Sequence, residues 1–413
     1  MSTRPALLLL ASLLAAPCAL AADYLPDPEL VDRSIAQQPE VRAAAARVQA
    51  ARAQARIQAL GSHEFEVSGV QQQRKVEDMP GIDNYREWEL QVSRRLRLPG
   101  KARLDNAIGQ YGLEAAELRQ EDAQHQAARH LAQRWMGWLR AAAVAEEAER
   151  QYASLLRERD ALRRRVELGD AAHKDLDLME VELAQAEAQR LAADSTQHSA
   201  HRAMAIDFPL LPLPEYPPTL PEPDALQESD AVWIGRIVDR SHEIGALAKV
   251  AEQQQTVAAR ARADRFPDPS LGLRILNDRG GAERVIGVVL SVPIGGRYRR
   301  AVGAAEAAEA SARHDDTAIM AREIAREAEL AVREAGSTVM QWRAMLAART
   351  ASTAASTRQR RGWELGELGL SEWLLAERNS RQISLAEIMA RADAVEARLR
   401  VLVDSHELWH TVN

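Results

Sequence analysis

The chain has 413 residues, a formal net charge of −7 and 27% charged residues, but only 4% aromatic residues. The length suits two or three ordinary domains, and the negative charge argues against a nucleic-acid partner, because a general binder of nucleic acid presents a basic face. Few aromatic residues, in a chain rich in Ala, Leu, Glu and Arg, favour long helices over one large compact core.

Residues 1–21 have the pattern of a secretory signal peptide. Arg4 precedes an apolar run from Ala6 to Leu14, and Ala19-Leu20-Ala21 fits the small-residue cleavage pattern. The run is too short to span a bilayer as a helix. We therefore expect export from the cytoplasm of a Gram-negative cell. The only cysteine, Cys18, leaves two outcomes open, either lipid attachment at this residue or a mature chain without any thiol.

The rest of the chain repeats itself once. The start of an Ala-rich helix near Pro39 recurs near His242, an offset of 203 residues, and Glu167-Leu168-Gly169 recurs as Glu364-Leu365-Gly366, an offset of 197. Seven prolines between Phe208 and Pro223 separate the two copies and cannot continue a helix. The pattern predicts a first repeat over 22–206, a Pro-rich linker over 207–225 and a second repeat over 226–413.

Each repeat contains two predicted strands, over about 63–72 and 87–98 in the first and about 270–277 and 284–294 in the second. From Glu87 to Leu98 every even-numbered residue except Arg94 is apolar and every odd-numbered residue is polar. This alternation is typical of outer-membrane β-barrels, although ordinary hairpins on a soluble core remain an alternative. We expect loops over 74–86 and 278–283. Because barrels begin at about eight strands, a membrane barrel would need strands from several chains.

A very long helix follows each predicted strand pair. No proline interrupts residues 101–166 or 297–363, and at about 1.5 Å per residue each helix would span on the order of 100 Å. Gly169 and Gly366 are placed to end these helices as C-terminal caps. An acid follows each glycine by six residues, Asp175 in the first repeat and Glu372 in the second. A shorter returning helix completes each repeat.

The two helix–strand–strand–helix halves, the Pro-rich connector and the two Gly-x5-acid turns together resemble the TolC-like outer-membrane factor family. The resemblance covers about residues 28–406. It implies a fold that is mainly α with a small membrane β part. Three chains would pool their strands into a trimeric 12-stranded β-barrel, continued by a long periplasmic α-helical barrel. The implied partners are a periplasmic membrane-fusion adaptor, an inner-membrane pump of the RND type and outer-membrane lipid.

Within this family, the turns after the long helices form the periplasmic entrance. The resemblance therefore implies entrance or gate roles for Gly169, Asp175, Gly366 and Glu372. The chain departs from the pattern at two places, where Leu375 replaces a second acid and Leu368 replaces a basic latch residue. The alternative role for both acids is structural, since acids are favoured in the first turn of a helix.

The segments 266–271 and 290–294 look most like the cobalt-zinc-cadmium heavy-metal efflux branch of the family, which implies heavy-metal cations as substrate. Drug or solvent efflux and protein secretion remain alternatives within the fold. A periplasmic coiled-coil adaptor or a structural envelope protein would be the alternatives of another class.

No motif of a hydrolase, zinc protease, nucleotide-binding loop or dinucleotide site occurs. His198 and His201, like His406 and His410, could share a helix face, but no cysteine or carboxylate cluster accompanies either pair. We therefore expect no enzyme activity, no cofactor and no resident metal.

Overall fold

Helices and one small sheet follow in the same order in both halves of the molecule. The computed structural model describes residues 24–78 and 81–409, so that the predicted signal peptide, Cys18 and His410 lie outside the described residues. The first half comprises α1 (Pro28–Ala36), α2 (Pro39–Leu60), β1 (Phe65–Asp78), β2 (Gly81–Arg95), α3 (Lys101–Glu167) and α4 (His173–Asp207). The second comprises α5 (Asp230–Asp239), α6 (His242–Ala263), β3 (Ser270–Asp278), β4 (Glu283–Ser291), α7 (Arg297–Glu364) and α8 (Leu370–Asp404).

Corresponding helices of the two halves are almost equal in length. The helices α2 and α6 both have 22 residues, α3 and α7 have 67 and 68, and α4 and α8 both have 35. Proline starts α1 and α2 at Pro28 and Pro39, where its missing N–H costs no helical hydrogen bond. Ser241 caps α6 through its side chain, which accepts a hydrogen bond from the Ile244 amide at 3.2 Å.

The four strands form one antiparallel sheet in the order β1-β2-β3-β4. The second hairpin lies close to its predicted position, but β4 ends at Ser291, three residues before the predicted end. The expected loop over 74–86 is wrong, because β1 runs on to Asp78 and β2 begins at Gly81, with paired backbones throughout. This extension is polar on both faces. Its composition therefore resembles that of a loop. The strands nevertheless continue, because backbone hydrogen bonds between paired strands do not require buried side chains.

The helices of the two halves pack side by side in one layer. Nearer the sheet, neighbouring helices follow the order α2, α3, α6, α7, and farther from it the order α4, α3, α8, α7. The helices α2 and α4 therefore border one edge of the layer and α7 borders the other. The sheet has the matching edges β1 and β4. Within the described residues, β1 and β4 do not pair with each other, and α7 does not pack extensively against α2 or α4.

The largest buried cluster lies at mid-height, where the Pro-rich linker crosses the layer. Trp135 and Trp138 of α3 are buried with ring centroids 5.3 Å apart, and Phe208 of the linker packs into the same cluster. The indole N–H of Trp135 donates to the carbonyl oxygen of Tyr24 at 2.9 Å. None of the helices in the described ranges combines the length and apolar character that a membrane crossing requires.

Candidate functional site

The strand register collects most of the large apolar side chains of the sheet on one face, although Val70, Leu276, Val285 and Val289 lie on the other. Val67, Val92, Leu273 and Val288 lie in one row across the four strands, and similar rows lie on either side. These side chains are 39–78% exposed in the protomer. The set comprises Phe65, Val67, Trp88, Leu90, Val92, Leu271, Leu273, Ile275, Ile286, Val288 and Leu290. A hairpin packed on a soluble core would bury such a face, and a contiguous exposed apolar surface marks an interaction site.

The opposite face of the sheet is predominantly polar. It carries Glu66, Ser68, Gln72, Arg74, Glu87, Glu89, Gln91, Ser93 and Arg274, as the same register requires. Glu87 is only 1% exposed because it accepts from Gln72 Nε2 at 2.8 Å and pairs with Arg74 at 3.1 Å. A polar face of this kind suits contact with water, while the apolar face suits contact with hydrocarbon.

The two long helices end in the same hydrogen-bonded turn. Gly169 and Gly366 have φ values of +83° and +78°, a left-handed conformation that glycine adopts without a steric penalty. In the first turn the amides of Gly169 and Asp170 donate to the carbonyl oxygens of Val166 and Arg165 at 3.0 and 2.8 Å. The amides of Gly366 and the next residue repeat this pattern. Both turns are therefore Schellman caps, which reverse the chain sharply at the tip of the layer.

The acids six residues after these glycines occupy equivalent helical positions. Asp175 and Glu372 are each the third residue of the returning helix, α4 or α8. Glu372 is exposed, and its Oε2 accepts a hydrogen bond from the Gly369 amide at 3.2 Å. Asp175 is half-buried. The structure thus gives Glu372 a capping contact within one protomer, while the carboxylate remains at the surface of the tip.

The two leucines that depart from the family pattern differ in their surroundings. Leu368 packs against Gly362, since a Cβ added to this glycine would lie 3.0 Å from Leu368 Cδ1. Leu375 is 65% exposed on α8, three residues beyond Glu372. Leu368 is therefore in contact with the end of α7, whereas Leu375 is at the surface of α8.

An apolar cluster joins the two helical hairpins at the tip. Trp363 of α7 stacks on Trp373 of α8, with ring centroids 4.7 Å apart and an angle of 11° between the rings. Trp373 and Leu374 share this cluster with Met179 of α4. The four returning and outgoing helices therefore meet immediately above the turns that carry Asp175 and Glu372.

Ion pairs also connect the first helical hairpin to the second. Glu182 of α4 is buried and contacts two arginines of α8, Arg378 and, at 2.8 Å, Arg381. Glu158 of α3 pairs with Arg360 of α7. Burial raises the pKa of Glu158 despite this pairing. The sequence alone did not predict these ion pairs, because the partners are far apart in the chain and resemble the many solvated charges of the same helices.

A second set of missed residues lies where the sheet meets the helices. Lys101 is 2% exposed, and its Nζ donates to the carbonyl oxygen of Phe266 at 2.7 Å and to Asp268 at 2.9 Å and contacts Asp264 at 2.8 Å. Nearby, Asp105 accepts from arginines of both halves. The available signal was Lys101 itself, because a cation at a helix N-terminus opposes the helix dipole and therefore implies acidic partners.

Three of the four histidines singled out in the sequence lie within the described residues, and each of these three contacts another group. His198 Nδ1 lies 2.9 Å from the carbonyl oxygen of Asp194, and the ring of His201 lies beside Trp138. His406 instead stacks on His242, with ring centroids 4.8 Å apart. Across residues 24–78 and 81–409, no group of three or more His, Cys, Asp or Glu side chains is arranged to hold a metal ion.

Comparison with known proteins gives a uniform result for the fold. No family model and no curated protein matches the sequence. Among solved structures, the outer-membrane channel OprN is similar over 93% of this chain and 91% of its own, with a TM-score of 0.77 and 20% identity. CusC, described for its transmembrane channel formation, is similar over 91% of both chains with a TM-score of 0.73 and 15% identity.

The CmeC outer-membrane channel of Campylobacter jejuni is similar over 91% of this chain and 84% of its own, with a TM-score of 0.70 and 17% identity. The predicted fold class, mainly α with a small sheet and duplicated helix–strand–strand–helix halves, is confirmed. The chain therefore has the fold of the outer-membrane channel proteins OprN, CusC and CmeC.

Proposed function

We propose that the protein is the outer-membrane channel of a tripartite efflux system and conducts its substrate passively. The observation that carries the proposal is the sheet, of which one face is predominantly apolar and exposed and the opposite face is predominantly polar. An outer-membrane strand alternates in this way because one face meets lipid and the other meets water. A coiled-coil adaptor or a structural envelope protein has no need of such a sheet.

The height of the apolar face suits a bilayer. Along β2 and the segment after it, the apolar positions run from Trp88 to Leu98 with one interruption at Arg94, which makes ten residue steps of about 3.3 Å each. Strands in outer-membrane barrels tilt by about 40°, so this length spans about 25 Å along the membrane normal, close to the apolar band of known barrels. Four strands cannot close a barrel, and because the resemblance to the TolC-like outer-membrane factor family implies three chains, we propose a homotrimer that pools twelve strands.

Both edges of the protomer suit pairing with further copies. Exposed apolar side chains lie on α4 (Leu178, Val181 and Leu191) and on α7 (Ile319, Leu330 and Met340). In a ring, α7 of one chain would face α2 and α4 of the next, and β4 would pair with β1 of the next. The helical layer would then close into a periplasmic tube, whose tip would meet a membrane-fusion adaptor and an RND-type inner-membrane pump.

The turns at Gly169 and Gly366 would form the entrance of this tube. A threefold axis would gather three copies of Glu372, and like charges held close together attract cations. Glu372→Gln is expected to weaken cation selectivity in planar bilayers. Glutamine can replace glutamate in the cap at Gly369, so the helix end is retained. Unchanged selectivity would remove Glu372 from this role, leaving only its capping contact.

The substrate class that we propose is heavy-metal cations. The support is the resemblance of segments 266–271 and 290–294 to the heavy-metal branch, together with the acids at the entrance. A deletion strain should be tested against zinc, cobalt, cadmium, copper, silver and common drugs. Sensitivity to metals supports this class, while sensitivity to drugs alone would replace it with drug efflux through the same channel.

A matched pair of cysteine variants tests the membrane position of the sheet. Val288 and Val289 are neighbours on β4 that point to opposite faces, and Val288 is 70% exposed in the protomer. The single natural cysteine, Cys18, lies in the predicted signal peptide, so the background is low. In intact outer membranes, a polar thiol reagent should label Val289→Cys and leave Val288→Cys unlabelled. Equal labelling, or recovery of the protein wholly in the soluble periplasmic fraction, would refute the channel.

A further inference from the structure

We infer that the apolar face of the sheet ends in a basic site for the phosphate groups of an outer-leaflet lipid, formed by Arg86 and Arg284 beside Trp88. The inference rests on the proposed membrane position of the sheet and adds a lipid partner and the residues that bind it.

The register places the three side chains together on the apolar face. Trp88 pairs with Asn277, which in turn pairs with Arg284, so that Trp88 and Arg284 lie in one row, about 10 Å apart across two strand spacings. Arg86 lies two residues from Trp88 on β2 and therefore points to the same face, about 7 Å away. This row lies at the end of the apolar face that is remote from the helices.

Charges at this height are distributed unequally between the two faces of the sheet. On the opposite face, the register places the acids Asp83, Glu87, Asp278 and Glu283. On the apolar face beyond Trp88, Lys75 follows Arg86, and Lys75 is paired with Glu77 at 2.9 Å. The membrane side is therefore net basic, with Glu77 as its acid at this height, and most acids lie on the side that would face the lumen.

Among the described residues, neither Arg86 nor Arg284 makes a side-chain hydrogen bond or an ion pair. Both side chains are exposed. Arg74 and Arg274, on the opposite face, instead contact Glu87 at 3.1 Å and Glu89 at 3.8 Å. The two outward arginines thus keep their full hydrogen-bonding capacity for a ligand from outside.

The chemistry of the site matches a lipid phosphate at the membrane surface. Arginine donates two parallel hydrogen bonds to phosphate, with a geometry that lysine lacks. Tryptophan is typical of the boundary between hydrocarbon and headgroups. The protein therefore presents its groups in the order in which a lipid would meet them. The apolar band would contact the acyl chains, tryptophan the boundary region and arginine the phosphate.

The test uses the full-length protein in detergent, so that it does not depend on membrane insertion. Binding of fluorescent diphosphoryl lipid A is compared between the wild type and the double variant Arg86→Gln/Arg284→Gln. A basic residue near an anionic lipid surface contributes about fivefold to affinity, so two should give a loss of about 25-fold. The matched control is Arg274→Gln, which removes an arginine of the same sheet from the opposite face and should change the affinity less than twofold.

Three results would overturn the inference. The double variant could bind as tightly as the wild type, the control could lose as much affinity as the double variant, or inorganic phosphate at millimolar concentration could displace the lipid completely. The last result would identify a site for a free ion. The proposed function is tested separately, because a protein that binds lipid A in detergent but is wholly soluble in the periplasm would contradict the channel alone. An outer-membrane trimer whose lipid affinity ignores both arginines would contradict the lipid site alone.

Discussion

Replacing Lys101 by methionine should weaken the junction between the sheet and the helical layer. The Lys101 ammonium group is almost fully buried and contacts the Phe266 carbonyl oxygen, Asp264 and Asp268 within 2.9 Å. Methionine fills similar space but offers no donor. Asp264 keeps its contact with Arg260 and is partly exposed, whereas Asp268 loses its close cation and retains the Leu98 amide.

The expected loss follows from removing one partner of a buried ion pair, which costs about 3–5 kcal/mol. Because Asp264 is partly solvated and keeps a second partner, we expect a decrease near the lower limit, about 3 kcal/mol, in the free energy of unfolding. The measurement is chemical denaturation of the full-length protein in detergent, followed by tryptophan fluorescence. The control is Lys75→Met, because Lys75 is exposed and should contribute less than about 0.5 kcal/mol.

The same network predicts a dependence on acid pH. Burial alone would raise the pKa values of Asp264 and Asp268. Hydrogen bonds from Arg260 and Lys101 nevertheless hold the pKa of Asp264 below its ordinary range. Hydrogen bonds from the Leu98 amide and Lys101 do the same for the pKa of Asp268. Acids with lowered pKa values stabilise the fold above the unfolded-state value of about 3.9, and this contribution is lost as the pH falls below it. Lys101→Met should flatten this loss. A variant within 0.5 kcal/mol of the wild type, with an unchanged acid profile, would refute the reasoning.

Three further predictions concern the tip, the membrane face and mid-height. Gly366→Ala should cost about 1–2 kcal/mol in the same denaturation assay, because φ is +78° and no other atom lies near the added Cβ; an unchanged midpoint would contradict the cap. Val288→Arg should lower the stability of the membrane-inserted protein by about 2–4 kcal/mol and reduce the yield of outer-membrane trimers in fractionation. Val289→Arg is the control and should not reduce this yield, so equal yields of the two variants would contradict the lipid-facing assignment. Burial lowers the pKa of His242 although Glu121 lies 3.1 Å away, so the unfolding free energy should fall as the pH drops below about 6.5. His242→Gln should reduce this slope, and a slope equal to that of the wild type would assign the titration to other groups.

Local rules in the sequence determined several features of this protein. Side chains of a strand alternate between two faces, so the pattern from Glu87 to Leu98 already separated the apolar face from the polar one. The left-handed caps at Gly169 and Gly366 followed from a glycine at the end of a long proline-free segment, because other residues pay a steric penalty there. The matching offsets likewise indicated that the chain contains two copies of one helix–strand–strand–helix unit.

Other features depend on contacts between residues that are distant in the chain, and only the tertiary structure decided them. The strands continue through 74–86 because the two backbones pair with each other, and polar residues do not reveal such pairing. Lys101 is buried because Asp264 and Asp268 arrive from the second half. Glu182 differs from the solvated acids around it because α8 brings Arg378 and Arg381 to it. Periodicity in a sequence specifies which face a residue occupies, whereas the partner that meets this face is set by how the two halves pack.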